Sequence, residues 1–393
     1  MKRNTQMASA AAVALALTGM MASGAMADTT AGTTIAGLTV STVSSTVDPA
    51  NGDSNPYAVA ISPSGGIFVS NFSNQAGTNG AGTTIEQIVN GKPVTFFSGA
   101  NGPAAMVFSP KGPLWIANFG QQGSDGNVQV VNSQGTEFAG GSIMTGPAVQ
   151  GPWGQAFAPG YTYMMGGQSQ TVPAAFFVTG AQNGTVAAMY GFNSSSFATS
   201  TKFDVIGSGL ASSGTNANNI QGPQGMVWDA TSDTLYVTDT ADNSIRAFSW
   251  TGPSTMNQGM GRLVYQNGDL NAPVGLALNP INGDLIVANQ GNNDIVELAL
   301  PTQPGTMASP VAEESVDSGP AGALFGLAAT TDATGHLVVY FTDDNTNTLD
   351  ELSYSTPMVG NMPEVPYAGA LPLLGLAGFA AWTAARRRTR KGH

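Results

Sequence analysis

The chain contains no cysteine and only 2 histidines, and charged residues make up 9% of its 393 positions. Without cysteine there is no disulfide, no thiolate nucleophile and no Cys-ligated metal, so stability has to come from packing and strand pairing. Histidine catalysis has little to work with: His393 is the last residue and His336 falls in an expected turn, neither with a Ser or Asp companion evident in the sequence. No phosphate loop is present either. The stretch Gly120 to Gly126 lacks the lysine and the following helix that such a loop needs, and it reads as a hairpin loop. The methionines, Met164 and Met165 among them, read as core fillers rather than copper ligands.

What is abundant is turn chemistry. Glycine at 51 and proline at 23, beside so little charge, indicate many tight turns and a surface of Ser, Thr, Asn and Gln. A hydrophobic content of 42% over this length suffices for a well-buried core. Together these point to an all-β fold and exclude a disordered chain.

Both ends carry topology signals. Lys2 and Arg3 precede an apolar stretch from about Ala8 to Met21, and Ala25-Met26-Ala27 fits a small-x-small cleavage site before Asp28, so residues 1–27 read as a secretory signal. Residues 367–385 form an uncharged segment just long enough to span a bilayer as a transmembrane helix, followed by a basic end at 386–393 that should stay cytoplasmic. The two signals agree in placing the body of the chain outside the membrane. The tail resembles the PEP-CTERM sorting signals handled by exosortases, with Pro363-Glu364-Val365-Pro366 as the motif and Val365 interrupting the usual Pro-Glu-Pro. A sorting peptidase is the partner this resemblance implies, and retention and cleavage of the tail both stand open. Seven of the 12 cationic residues lie in these ends, whereas all 24 acidic ones lie between, so the body carries 5 − 24 = −19. Such a surface repels nucleic acid and anionic lipid.

Between the ends runs a repeat. Short β-rich runs finish at Asn71, Asn118, Gly180, Asp239, Asn289 and Asp343, in steps of 47, 62, 59, 50 and 54 residues. Each is preceded by a turn into an apolar strand, as at Pro56-Tyr57, Pro103-Ala104, Pro152-Trp153, Pro223-Gln224, Pro273-Val274 and Leu324-Phe325. In the last four copies a third strand follows at a constant six-residue offset, which signals a tight hairpin. A unit of about 50 residues cannot bury both faces alone, whereas copies packed radially can. The segments from Tyr236 to Ile245 and from Ile286 to Ile295 resemble NHL repeats, in weaker form from about Asn55 to Tyr354, with blade 3 interrupted by an insertion between Phe192 and Ile220. The expected fold is a six-bladed β-propeller over 28–354, then a linker at 355–366. The last unit lacks an outer strand, and the run from Thr39 to Val47 is expected to supply it and close the ring.

The polar strand ends Asn71, Asn118, Asp239, Asn289 and Asp343 offer oxygen ligands for Ca²⁺, yet a residue repeated in nearly every blade better serves the blade itself. The six-bladed calcium-dependent lactonases of the gluconolactonase type supply a comparison. They place a metal-binding Asn in a Pro-Asn-Gly turn, where this chain has Tyr57, Ala104, Trp153, Gln224, Val274 and Phe325, so their metal site does not carry over. No cofactor is expected. Tyr57, Trp153, Gln224 and Phe325 would instead converge on the channel mouth, either to meet a small or sugar-like ligand or to plug the channel. Two function classes follow: a ligand- or protein-binding module at the cell surface, or an extracellular lactonase-, hydrolase- or lyase-type enzyme using a Ca²⁺ site.

Overall fold

Each short apolar run finds its partner in the next one along the chain, because the turns between them are rich in Gly and Asn that accept positive φ. In the computed structural model, described for residues 32–355 except 124–125, 254 and 304–305, this hairpin logic gives six four-stranded antiparallel sheets. Blades 1 to 5 have inner strands Ser54–Ile61, Pro103–Phe108, Pro152–Ala158, Pro223–Asp229 and Pro273–Leu278, and each is followed outward by its next three strands in chain order, a short hairpin in blade 3 aside. Blade 6 is built from Leu324–Thr331, Leu337–Asp343 and Thr348–Ser353. Its outer strand is Thr39–Ser45, antiparallel to Thr348–Ser353 with Thr39 opposite Ser353. The first inner strand packs against the last, so the ring is closed as a six-bladed propeller.

The segment ahead of the closing strand reaches further still. The Ile35 amide donates to Glu297 Oε2 at 2.7 Å, and Ile35 and Leu38 are buried against blades 5 and 6. The segment from Ile35 to Ser45 therefore fastens blade 5 to blade 6 as well as completing blade 6.

The inner strands pack closely enough to dictate sequence. A Cβ on Gly154 would lie 1.8 Å from the Gln224 carbonyl oxygen, and one on Gly225 would lie 2.0 Å from that of Val274. Beside this contact runs a hydroxyl relay. The Gly225 amide donates to Thr238 Oγ1 at 2.8 Å, and that hydroxyl donates on to the Val274 carbonyl of the next blade at 3.2 Å. Ser70 and Thr179 do the same in blades 1 and 3.

The strand-end residues fasten linkers. Asn71 Nδ2 donates to the Thr46 carbonyl at 2.9 Å, Asn118 Oδ1 accepts from the Asn101 amide at 3.2 Å and Asp239 Oδ2 from the Ala211 amide at 2.8 Å. Asn289 Oδ1 accepts from the Asn271 amide at 3.2 Å, while Asp343 Oδ1 accepts from Thr346 within its own turn. A second Asn, four residues on, holds the linker leaving the blade: Asn243 Oδ1 accepts from the Ala272 amide and Asn293 Oδ1 from the Ala323 amide. Both adopt positive φ, 57° and 60°, which Asn tolerates better than most residues.

Two expectations need correction. The supposed insertion in blade 3 contains its outer strand, Lys202–Ser208. Met164 and Met165 are not core fillers but 68% and 66% exposed, on a hairpin of Tyr161–Met165 and Gln168–Val172 that projects between the first two strands of blade 3. Nothing packs over their side chains because the hairpin pairs only with itself. The expected signal at 1–27 and the tail beyond 355, including the segment at 367–385, lie outside the described residues, among which no helix is long and apolar enough to cross a membrane.

Candidate functional site at the channel mouth

Inner strands are edge strands, which is why proline is tolerated at their starts. In every blade the register shifts just after that start, as between Pro223 and Met226 and between Leu324 and Leu327. The bulge aims the next side chain at the central axis. All six expected positions, Tyr57, Ala104, Trp153, Gln224, Val274 and Phe325, line the channel there. The narrow waist at their level holds only about 70 Å³. It opens on the strand-end side into a cleft of about 320 Å³ and on the opposite side into one of about 470 Å³.

Tyr57, Trp153, Gln224 and Phe325 all border the 320 Å³ cleft. Their ring faces are largely spent on one another. Tyr57 lies between Phe72 and Phe325, with centroids 3.9 and 3.7 Å away and planes within 8° and 16°. Trp153 packs on the same group, 5.7 Å from Tyr57 and 5.3 Å from Phe119. With Tyr57 6%, Trp153 5% and Phe325 8% exposed, the rings form an apolar floor that narrows the channel to its waist. Gln224 is fixed at the floor's edge, its Oε1 accepting from Thr240 Oγ1 at 2.5 Å.

The walls are polar and were not read from the sequence. They include Asn79, Gln221, Gln290, Asp344 and Asn345. Three of the side chains at this mouth, Phe72, Gln290 and Asp344, follow directly on a strand-end residue, as does Phe119; the register that revealed the strand ends holds the signal for the position after them. Asp344 is the charged group of the cleft. Burial, and then the neighbouring Asp343 carboxylate, push its carboxyl up to about 6. With its amide nitrogen turned toward Asp344, Asn55 donates to Oδ1 at 2.9 Å. Burial, with the Asp344 charge second, raises the Tyr57 phenol well above its ordinary range. At the waist Gln155 is 6% exposed, and neither atom of its amide has a protein partner.

Asn71, Asn118, Asp239, Asn289 and Asp343 do not converge on this mouth; they stand one to a blade around the ring. No three carboxylates or imidazoles cluster among the described residues. His336 stays in its turn, where Nδ1 meets Thr334 Oγ1 at 2.8 Å and the ring lies 4.6 Å from Tyr354.

No protein-family model matches the chain, and no curated protein matches its sequence. Among solved structures it is similar to a Thermus thermophilus protein described as an oxidoreductase (glucose dehydrogenase), with 16% identity, a TM-score of 0.49, and 80% of this chain and 100% of that one covered. It is similar to streptogramin B lyase at 14% identity and TM-score 0.47, covering 81% and 98%. A chain of a nidogen/laminin complex shows 16% identity and TM-score 0.45, covering 76% and 89%.

Proposed function

We propose that the chain is an exported, envelope-anchored binding module whose channel mouth takes a small, uncharged, sugar-like ligand. The observation that supports this is one cleft of about 320 Å³ with an aromatic floor and walls of amides around a single carboxyl group. Amides donate and accept at once, which suits the mixed hydroxyl pattern of a sugar, while an apolar floor suits its C–H face. Export and anchoring rest on the charged, apolar and small-residue order of residues 1–27 and on the apolar and basic segments at 367–393.

The test is a melting-temperature panel of neutral mono- and oligosaccharides against the full-length chain, since a native-state ligand at a hundredfold excess over its dissociation constant stabilises by about 2.7 kcal/mol. At least one is expected to raise the Tm, and Asp344→Asn to weaken its binding about tenfold, the loss of one charge-assisted hydrogen bond. A flat panel would sink the sugar reading and turn the search to protein partners.

A second reading is favoured by Asp344 itself. A carboxyl that titrates at about 6 beside a buried phenol can hold or release a proton near neutrality, as an acid or base in a hydrolase or lyase must. Turnover with a pH inflection near 6 that Asp344→Asn abolishes would favour the enzyme.

A further inference from the structure

The third strands of the blades begin Thr84, Asn127, Thr185, Ser244, Asp294 and Thr348, and two residues on stand Glu86, Gln129, Ala187, Arg246, Val296 and Asp350. Besides Glu86, the position is polar in three blades; in blade 6 Asp350 Oδ2 accepts from Thr348 Oγ1 at 2.6 Å while its buried Oδ1 has no partner, and the other two are fully satisfied. In blade 2, Gln129 Oε1 accepts from Asn118 Nδ2 at 2.9 Å while its Nε2 donates to the Gly99 carbonyl at 3.1 Å. In blade 4, Arg246 forms an ion pair with Asp242 at 2.7 Å.

Blade 1 meets a carboxylate with a carboxylate. Glu86 sits directly opposite Thr95 in the sheet, and the Thr95 hydroxyl donates at 2.5 Å to Oδ2 of Asp48, from the segment entering the blade. Directly opposed residues of an antiparallel pair project to one face, so both carboxyls occupy the same seam. Glu86 is fully buried and Asp48 is 2% exposed, yet neither Glu86 oxygen has a hydrogen-bond partner. Asn71 shares the seam: its Nδ2 donates to the Thr46 carbonyl and to Thr84 Oγ1, while its buried Oδ1 has no partner. Among the described residues no Lys, Arg or His pairs with either carboxyl.

Three buried oxygens without a donor, beside a second carboxylate, make a costly arrangement unless Glu86 holds a proton that it shares with Asp48 or a cation takes that proton's place; burial, and then Asp48, push the Glu86 carboxyl up to about 8. We propose that this seam binds one Ca²⁺ through Glu86, Asp48 and Asn71. The donors are all oxygen, the pair of carboxylates balances a divalent charge, and the Thr84 and Thr95 hydroxyls stand in the same cluster. A seam enclosed by protein suits Ca²⁺, whereas Mg²⁺ keeps several of its waters. None of Glu86, Asp48 and Asn71 lines the cleft at the channel mouth. The site pins the segment from Thr46 to Asp53, which joins the closing strand to the first inner strand, so the ion would lock the ring at its junction.

The experiment titrates Ca²⁺ calorimetrically into chelator-treated full-length chain and follows the Tm, for wild type and Glu86→Gln. The variant copies blade 2, where Gln stands at this position. The titrations run at about pH 9, because carboxylate ligands have to be deprotonated. Wild type is expected to bind one Ca²⁺ with a Tm rise that the chelator reverses. Glu86→Gln is expected to bind at least tenfold more weakly and to show no Tm response, with a metal-free Tm no lower than that of wild type. Absence of heat and of Tm change in wild type up to about 10 mM Ca²⁺, beyond the range of extracellular Ca²⁺ modules, would overturn the proposal. So would Ca²⁺ affinity undiminished in Glu86→Gln. Should that variant fail to fold, Asp48→Asn carries the same two readouts.

Discussion

At the scale of single residues, the inner strands tolerate almost no freedom. Gly225 needs no unusual φ; it is glycine because the neighbouring blade's backbone occupies the space a side chain would take. Gly225→Ala would place Cβ 2.0 Å from the Val274 carbonyl, a backbone atom that cannot swing aside. The strands would have to part, breaking the Thr238 relay, at a cost of about 3 kcal/mol, at the upper end for overpacking. Urea denaturation measures this, and a loss under about 1 kcal/mol would show that the blades separate easily. Such residues are legible in sequence because Pro-x-Gly recurs in blades 3, 4 and 5, where it marks Trp153 and Gln224, and the looser turns Pro56-Tyr57-Ala58 and Leu324-Phe325-Gly326 align Tyr57 and Phe325 with them. Asp344 was not legible. Its neighbours Asn55 and Tyr57 come from blade 1, at the far end of the repeat, and only ring closure brings them to blade 6.

At the scale of elements, what could be read follows burial. Second strands such as Leu285–Asn289 are buried at every residue and stand out as apolar runs. Outer strands face solvent, as in Ser309–Ser315, where most residues are exposed; without an apolar alternation they give little signal. Lys202–Ser208 is a different case: only Lys202 is exposed and Lys-Phe-Asp-Val alternates, but the run is short and follows a Ser-, Thr- and Asn-rich stretch, so it passes for part of an insertion. The closing strand Thr39–Ser45 was found by a different route, the count of strands missing from blade 6. It and its lead-in carry a prediction. Ile35→Ala removes a fully buried side chain between blades 5 and 6 and is expected to cost about 2–5 kcal/mol. Val40→Ala, at a position 44% exposed on the same segment, is expected to cost under about 0.5 kcal/mol. Equal effects in thermal or urea unfolding would mean that the chain start does not close the ring.

At the scale of the whole molecule, a body with 24 acidic and 5 basic residues cannot pair most of its carboxyls with cations. The propeller therefore buries several of them against neutral partners or one another. Burial first, and the Asp242 charge second, push Asp239 up to about 6; burial and Asp343 do the same to Asp344. Burial, and then Asp48, push Glu86 up to about 8, and Asp284, Asp343 and Glu313 are raised as well, in each case mainly by burial. A carboxyl raised in the folded state binds more protons there than in the unfolded chain, so its contribution is fully present below its unfolded value near 4. It is lost as pH climbs through about 6, or through about 8 for Glu86. A tenfold change in proton affinity between the folded and unfolded chain corresponds to about 1.4 kcal/mol. Asp48 and Asp332 are lowered instead and withdraw stability only at lower pH. The fold is thus expected to be most stable on the acidic side, with a Tm higher by on the order of 5 °C at about pH 4.5 than at about pH 7.5. Asp239→Asn tests the cause, since blades 1, 2 and 5 already place Asn at this strand end. The amide oxygen can still accept from Ala211, but the buried charge is gone. The variant should melt higher than wild type at neutral pH and show a shallower dependence on pH. A Tm that instead climbs steadily from pH 4.5 to 7.5 would mean that these carboxyls ionise without penalty, and that the ring is looser around them than its packing implies.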